Sequence, residues 1–364
     1  MMKPSKPLSG RLAFLDWMRG LAAVIMLQGH TFHAFAGKEW REAAPYILSQ
    51  FIGGIVPAIF LFLTGVTFAF LMASRERQGV PPLGRVLASL RRAGYLFGLA
   101  FIIRIQLYLF SLPYSSWTDL FKVDVLNCMG FGLGLMSLMA VFPLAERLRY
   151  SALLGLAIAA ASPLASAVGW SGTPEILRAY LAPDARYFSF FPWASFLAFG
   201  IATGSLIRMV GRETLPRLMQ WFAIAGVVMV VSARWAADIP YSLYPKSDFW
   251  LDSPWLILIK LGCMLVIMPF AWLWTEYGVK GFSWVMQLGT TSLLVYWVHI
   301  ELVYGRWFHG FKESLDLPQT VAASIVLTAL MVGLSVARSR WRMWLAAAPF
   351  LGLPQPKARP AAGD

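Results

Sequence analysis

The stretch LAFLDWMRGLAAVIMLQGHTFHAFA, residues 12–36, decides the fold. As a helix it is long enough to cross the hydrocarbon core of a bilayer, which takes about 20 residues. Yet it carries Asp16, Arg19, His30 and His33. A charged side chain at the centre of a spanning helix costs about 2.5–3.5 kcal/mol on the most lenient scale, so these residues must face protein or a polar cavity. At 100° per residue all four fall within an arc of about 100°, and the helix is polar along one side from end to end. Asp16 and Arg19, three apart, are placed to pair.

The rest of the chain extends this reading. Of its 364 residues 58% are hydrophobic and 13% charged, with a mean hydropathy of +0.62. A soluble domain is about 45–50% apolar. The fold class is therefore all-α, a polytopic integral membrane bundle. Apolar runs of spanning length fall at 12–36, 51–73, 86–110, 124–142, 150–169, 191–210, 217–235, 254–275, 282–304 and 318–337, predicting about ten transmembrane helices. A formal charge of +13 is compatible with nucleic-acid binding in principle, but the basic residues sit between spans rather than in a basic domain. We expect no nucleic-acid partner. With ten spans, the segments on the side of the termini hold 19 Lys and Arg and the opposite loops 9. The positive-inside rule then places both termini in the cytoplasm of a multi-pass plasma (inner) membrane protein. The polar stripe also argues for a retained first helix rather than a cleaved signal. The expected organisation is a cytoplasmic segment 1–11, a transmembrane domain 12–345 and a flexible tail 346–364.

A second polar site lies in GTTSLLVYWVHIELVY, 289–304. If 282–304 is one helix entering from the cytoplasmic side, His299 lies about 26 Å along it, near the depth of His30. Tyr296 shares its face and Ser292 precedes Tyr296 by one turn. Histidine suits proton transfer near neutral pH. Arg85, Arg91 and Arg92 at the cytoplasmic start of the third span form a cluster able to grip phosphates. The same positive charge also follows from topology alone. Arg104 and Lys260, deep in apolar runs, have no such explanation. The outer loops 171–193 and 238–255, with Tyr241 and Trp250, mix aromatics with acids in the way carbohydrate-binding surfaces do, although interfacial belts look similar. Cys128 and Cys263 offer neither a disulfide framework nor metal-ligand spacing. No metal is expected.

These residues resemble a known family. RLAFLDWMRGLAAVIMLQGH (11–30) is similar to the opening signature of the heparan-alpha-glucosaminide N-acetyltransferase-like proteins. GTTSLLVYWVH (289–299) is similar to their late G-x-x-S-[IL]-L-V-Y-x-x-H stretch, and VLNCMG (125–130) to the V-L-x-x-x-G between the two. Arg19, ten residues and His30 also reproduce the R-x(10)-H motif of the acyltransferase 3 family. The resemblance implies transfer of an acyl group, usually acetyl, from cytoplasmic acyl-CoA to a sugar on the far side of the membrane. It departs at one place: the animal heparan enzymes carry asparagine at the position of His30 and a catalytic histidine further on, where this chain reads KEWRE (38–42). That points away from heparan and leaves acyl transfer as the shared inference.

The expected function is thus an acyl-CoA-dependent membrane O- or N-acyltransferase acting on a glycan or other hydroxyl or amine acceptor. His30 is the expected base, and Arg19, Asp16 and His299 are the other catalytic candidates. Arg85, Arg91 and Arg92 are assigned to the CoA phosphates, and Ser292, Tyr296, Trp250 and Tyr241 to the acceptor. The bilayer, acyl-CoA and a cell-envelope glycan are the expected partners, and an oligomer is compatible with the sequence. The alternative is a proton-coupled transporter or flippase in which the same polar residues relay protons. It predicts inverted repeats or broken helices, and neither is visible in the sequence.

Overall fold

The polar first stretch is helical throughout: α1 spans Ala13–Phe35 and buries Asp16 among Phe14, Leu15, Trp17 and Met18. The computed structural model describes residues 12–112, 115–278 and 281–347, with side chains to 341. The expected segments 1–11 and 346–364 lie outside those residues or at their edge. After α1 come α2 (Ala44–Gly53), α3 (Val56–Arg77), α4 (Pro82–Phe110), α5 (Val125–Met136), α6 (Leu144–Ala167), α7 (Glu175–Leu181), α8 (Phe190–Met209), α9 (Leu215–Ala237), α10 (Pro254–Tyr277), α11 (Trp284–Thr290), α12 (Ser292–Tyr304) and α13 (Leu317–Ala347). The described residues contain no strand, only two isolated bridges. The protein is an all-α integral membrane bundle.

Eight helical stretches are long and apolar enough to cross a membrane. α1 is not among them because Arg19, Gln28, His30 and His33 lower its hydropathy, and α12 is too short. Packed with the eight, α1 and the α11–α12 run complete the ten apolar runs read from the sequence. The central helix is α8, enclosed over 78% of its apolar window, whereas α9 is enclosed over only 22%. The outer face of α9 presents Trp221, Ile224, Val228, Val231 and Trp235, a surface suited to lipid.

Small residues let helices meet backbone to backbone, the usual way of packing where hydrophobic burial gives no preference between lipid and protein. An added methyl on Gly200 of α8 would fall 2.0 Å from the Phe62 carbonyl oxygen of α3, and one on Gly65 of α3 would fall 2.1 Å from that of Leu197. The same closeness joins α11 to α1: a methyl on Gly289 would lie 1.8 Å from the Asp16 oxygen, and one on Gly20 1.8 Å from the Val285 oxygen.

The ninth apolar run differs from expectation. It is not one helix but two, interrupted at Thr291, whose φ of −122° and ψ of 20° leave the helical region. Polar side chains satisfy the break: Gln287 donates to the Ser335 carbonyl and hydroxyl, and Thr291 and Ser335 share a hydrogen bond between hydroxyls. α13 therefore supplies the groups that make an interruption tolerable inside a membrane. A broken helix is a feature expected of the transporter alternative, so its apparent absence from the sequence no longer counts against that alternative.

At the face where α1 begins, here the near face, Glu76 at the end of α3 joins two buried arginines. Arg147 donates to Glu76 at 3.0 Å and to the Met139 and Phe142 carbonyls, while Arg85 lies 3.2 Å from the same carboxylate. At the far face, where α1 ends, residues 313–315 pair with 34–37 through backbone hydrogen bonds, for example Glu313 N–H to Ala34 and Gly37 N–H to Leu315. These bonds fix the far end of α1 to the segment that leads from α12 into α13.

Candidate functional site

α1 and α12 meet through their histidines. His30 Nδ1 is 2.9 Å from His299 Nε2, with the rings inclined by 20°. On its other side His299 Nδ1 is 2.9 Å from the Val295 carbonyl oxygen. These contacts fix the protons. A carbonyl only accepts, so His299 Nδ1 carries hydrogen and donates to Val295. Neutral His299 then has a lone pair on Nε2, and the proton between the rings belongs to His30 Nδ1. His30 Nε2 is left as a bare lone pair, with no hydrogen-bond partner among the described residues. An imidazole oriented through one nitrogen and free at the other is the arrangement of a general base and its positioning group.

Two tyrosines flank the pair. Tyr296 meets His299 edge-on with ring centres 5.7 Å apart, and Tyr304 meets His30 edge-on at 5.3 Å. The Tyr304 hydroxyl is 3.3 Å from His33 Nδ1, and His33 itself is exposed at the far end of α1. A second network fastens α12 to α4: Trp297 Nε1 donates to Gln106 at 2.7 Å, Gln106 donates to Glu301 at 3.4 Å, and Trp307 Nε1 donates to Glu301 at 3.1 Å. Glu301 is buried but fully engaged. Farther along the same wall, Arg104 of α4 is 3.4 Å from Asp124. Asp124 also caps α5 by accepting from the Leu126 and Asn127 N–H groups, while Asn127 accepts from the N–H of Asp124, a reciprocal cap. A cavity of about 600 Å³ opens beside these groups, with Tyr304 and Arg104 in its lining. Its size is that of a small-ligand site.

The other expected site residues lie elsewhere. Arg19 and Asp16 are about 16 and 21 Å below His30 along α1. They pair at 3.1 Å, and Arg19 also contacts the Thr67 hydroxyl, tying α1 to α3. Ser292 sits at the break, about 10 Å below His299. Arg85 departs from its expected role, because its side chain is buried and its guanidinium is occupied by Glu76 and the Val141 carbonyl. It braces the near face rather than awaiting a phosphate. Arg91 and Arg92 are exposed on α4. Tyr241 is exposed, and Trp250 stacks edge-on against Phe51 of α2. Neither touches the histidine pair. Lys260 is held by a cation–π contact, 5.0 Å above the Trp193 ring.

The family profile described as heparan-alpha-glucosaminide N-acetyltransferase, catalytic, matches residues 11–241. The chain belongs to this family. The match contains His30, Arg104 and Asp124 and stops before α12, so it does not reach His299, which the sequence put forward and the structure brings against His30. No curated protein matches the chain significantly. Membership and the bundle together give a function of the membrane acetyltransferase type. Tyr304, Gln106 and Glu301 are the site groups that sequence reading passed over. A carboxylate inside an apolar run at 301 was the available signal.

Proposed function

We propose that the protein moves an acyl group, acetyl in the first instance, from acyl-CoA at the near face to a hydroxyl or amine acceptor at the far face, with His30 Nε2 as the base. The observation that carries this is the geometry of the His30–His299–Val295 chain, from which the proton order is inferred. The acceptor gives its proton to Nε2 and attacks the thioester carbonyl. The tetrahedral intermediate collapses with cleavage of the C–S bond, and the thiolate leaves as the thiol on taking the proton back from His30. His299, with both nitrogens engaged, is a positioning residue and has no free donor for the developing oxyanion. The basic bias of the near face supports a cytoplasmic orientation for it. Arg91 and Arg92 are then available to the CoA phosphates, and Asp16 and Arg19 to the polar side of the path its pantetheine arm follows.

The deciding experiment is incubation of the protein in nanodiscs with labelled acetyl-CoA and an amino-sugar acceptor, without any ion gradient. Acyl transfer or slow thioester hydrolysis supports the reading. Activity seen only as gradient-driven flux in sealed vesicles would assign the histidines to transport. Replacing Arg91 and Arg92 by alanine is expected to raise KM for acetyl-CoA roughly tenfold with little change in kcat, and the effect should shrink at high salt. Equal KM values would leave those arginines a topological role only.

A further inference from the structure

The cavity beside Tyr304 is unusual in its charge. Its lining includes Arg104, Lys122, Arg306 and Lys312 against a single carboxylate, Asp119. The cations come from different parts of the chain: Arg104 from α4, Lys122 from the turn before α5, and Arg306 and Lys312 from the segment after α12. Several are held in place. Arg104 is anchored by Asp124, Lys122 by Asp119 at 2.7 Å, and Lys312 by the Tyr304 carbonyl at 2.8 Å. Arg306 lies beside the Trp307 ring and within electrostatic reach of Glu301. Asp124 stands behind Arg104, and the Glu301 carboxylate acts on Arg306 and Lys312 from behind the wall, yet the four cations still outnumber these two carboxylates and Asp119. This excess occurs at the far end of the bundle, where the loops are otherwise rich in acids. Positive-inside topology therefore does not account for it. The same cavity reaches Tyr304, whose ring lies against the base His30.

We infer that this cavity binds the acceptor through a negatively charged group, phosphate or carboxylate, held by Arg306, Lys312 and Arg104 while the acceptor's hydroxyl or amine faces His30. The inference rests on the proposed acyl transfer for the role of the bound molecule, but the anion site itself stands on the cavity. Arginine and lysine grip such groups by charge-assisted hydrogen bonds, which are about twice as strong as neutral ones. A neutral sugar would bring no anion to Arg306 and Lys312, which have no carboxylate in direct contact among the described residues, so the site discriminates by charge.

The test uses the full-length protein in phosphatidylcholine nanodiscs with two probes, glucosamine and glucosamine 6-phosphate. Direct binding is measured by calorimetry and acyl transfer from acetyl-CoA in parallel. The phosphorylated sugar is expected to bind roughly tenfold tighter, the equivalent of one added charge-assisted contact. The double substitution Arg306→Ala, Lys312→Ala should remove the preference, while Arg306→Lys, Lys312→Arg should keep it, separating loss of charge from loss of fold. Equal binding of the two probes by the wild type overturns the inference, as does a preference that survives the double alanine variant. Preferential binding without transfer of acetyl to either probe would uphold the anion site and count against the acyltransferase reading. A further arm replaces part of the phosphatidylcholine with phosphatidic acid. Displacement of glucosamine 6-phosphate assigns the anion to a membrane-borne acceptor, and undiminished binding assigns it to a soluble one.

Discussion

His30 is backed by a second imidazole rather than by a carboxylate, and this sets its chemistry. A neutral imidazole orients the ring through one hydrogen bond but brings no full negative charge to stabilise His30 once it is protonated. Two imidazolium ions in contact inside a membrane are strongly disfavoured, so the pair holds one extra proton at most. In the proposed mechanism the proton taken from the acceptor therefore passes on to the leaving thiolate within the same turnover. His30→Ala is expected to reduce kcat at least 100-fold while acetyl-CoA still binds, since removing a general base typically costs that much. For His299 the informative comparison is between two substitutions. His299→Gln keeps an acceptor that can receive the His30 Nδ1 proton, whereas His299→Ala leaves the ring free to rotate. Steady-state kinetics should find the glutamine variant clearly more active than the alanine variant. Equal loss in the two would show that His299 does more than accept that hydrogen bond.

At the scale of elements, the relative position of the two histidines depends on how closely α11 approaches α1. Gly20 and Gly289 have no room for a side chain because each faces a carbonyl oxygen of the other helix. Gly289→Ala is expected to push α11 outward at a cost of about 1–3 kcal/mol, the usual penalty of overpacking. The measurement is the melting temperature in detergent alongside kcat, and both should fall. An unchanged melting temperature would mean that the contact is looser than the backbone distances imply. The far-face clamp offers a pH test. Hydrogen bonds from Lys38 and Arg41 hold the Glu313 carboxyl below the usual carboxylate range. A lowered folded-state pKa stabilises at pH above the unfolded value, and this contribution is lost as pH falls through the lowered one. Glu313→Gln should therefore melt earlier than the wild type at neutral pH, and the two should converge in acid. The helices were legible because apolar length reports them, and the polar stripe of α1 because helical period aligns Asp16, Arg19, His30 and His33. The break at Thr291 was not, since the partners that satisfy it, notably Ser335, lie on another helix 44 residues away. Likewise, the matched depth of His30 and His299 was readable, but not their direct bond, nor the capture of Arg85 by Glu76. Both depend on helix rotation, which residue spacing does not determine.

For the whole molecule, function turns on which face each substrate meets. The histidine pair lies toward the end where α1 stops, and the cation-lined cavity opens beside it. Arg91 and Arg92 lie about 14–15 Å along α4 from its near-face start, well short of that cavity. In the proposed reading nucleotide and acceptor thus have separate basic regions on opposite sides of His30. The phosphates of CoA make the nucleotide too costly to carry through the hydrocarbon core, so its charged end remains on the near side. The near face holds most of the basic residues, and the proposed function takes it as the cytoplasmic one by the positive-inside rule. In sealed vesicles with that face outward, added acetyl-CoA should be consumed and the acetyl group should appear on an acceptor enclosed in the lumen. Vesicles of the opposite orientation should consume acetyl-CoA only after permeabilisation. Single cysteines placed at Ser242 and at Gln78 give an independent reading, because the first should react with an impermeant maleimide from the lumen side and the second from the cytoplasmic side. Reaction of both from the same side would overturn the topology, and with it the division of donor and acceptor between the two faces.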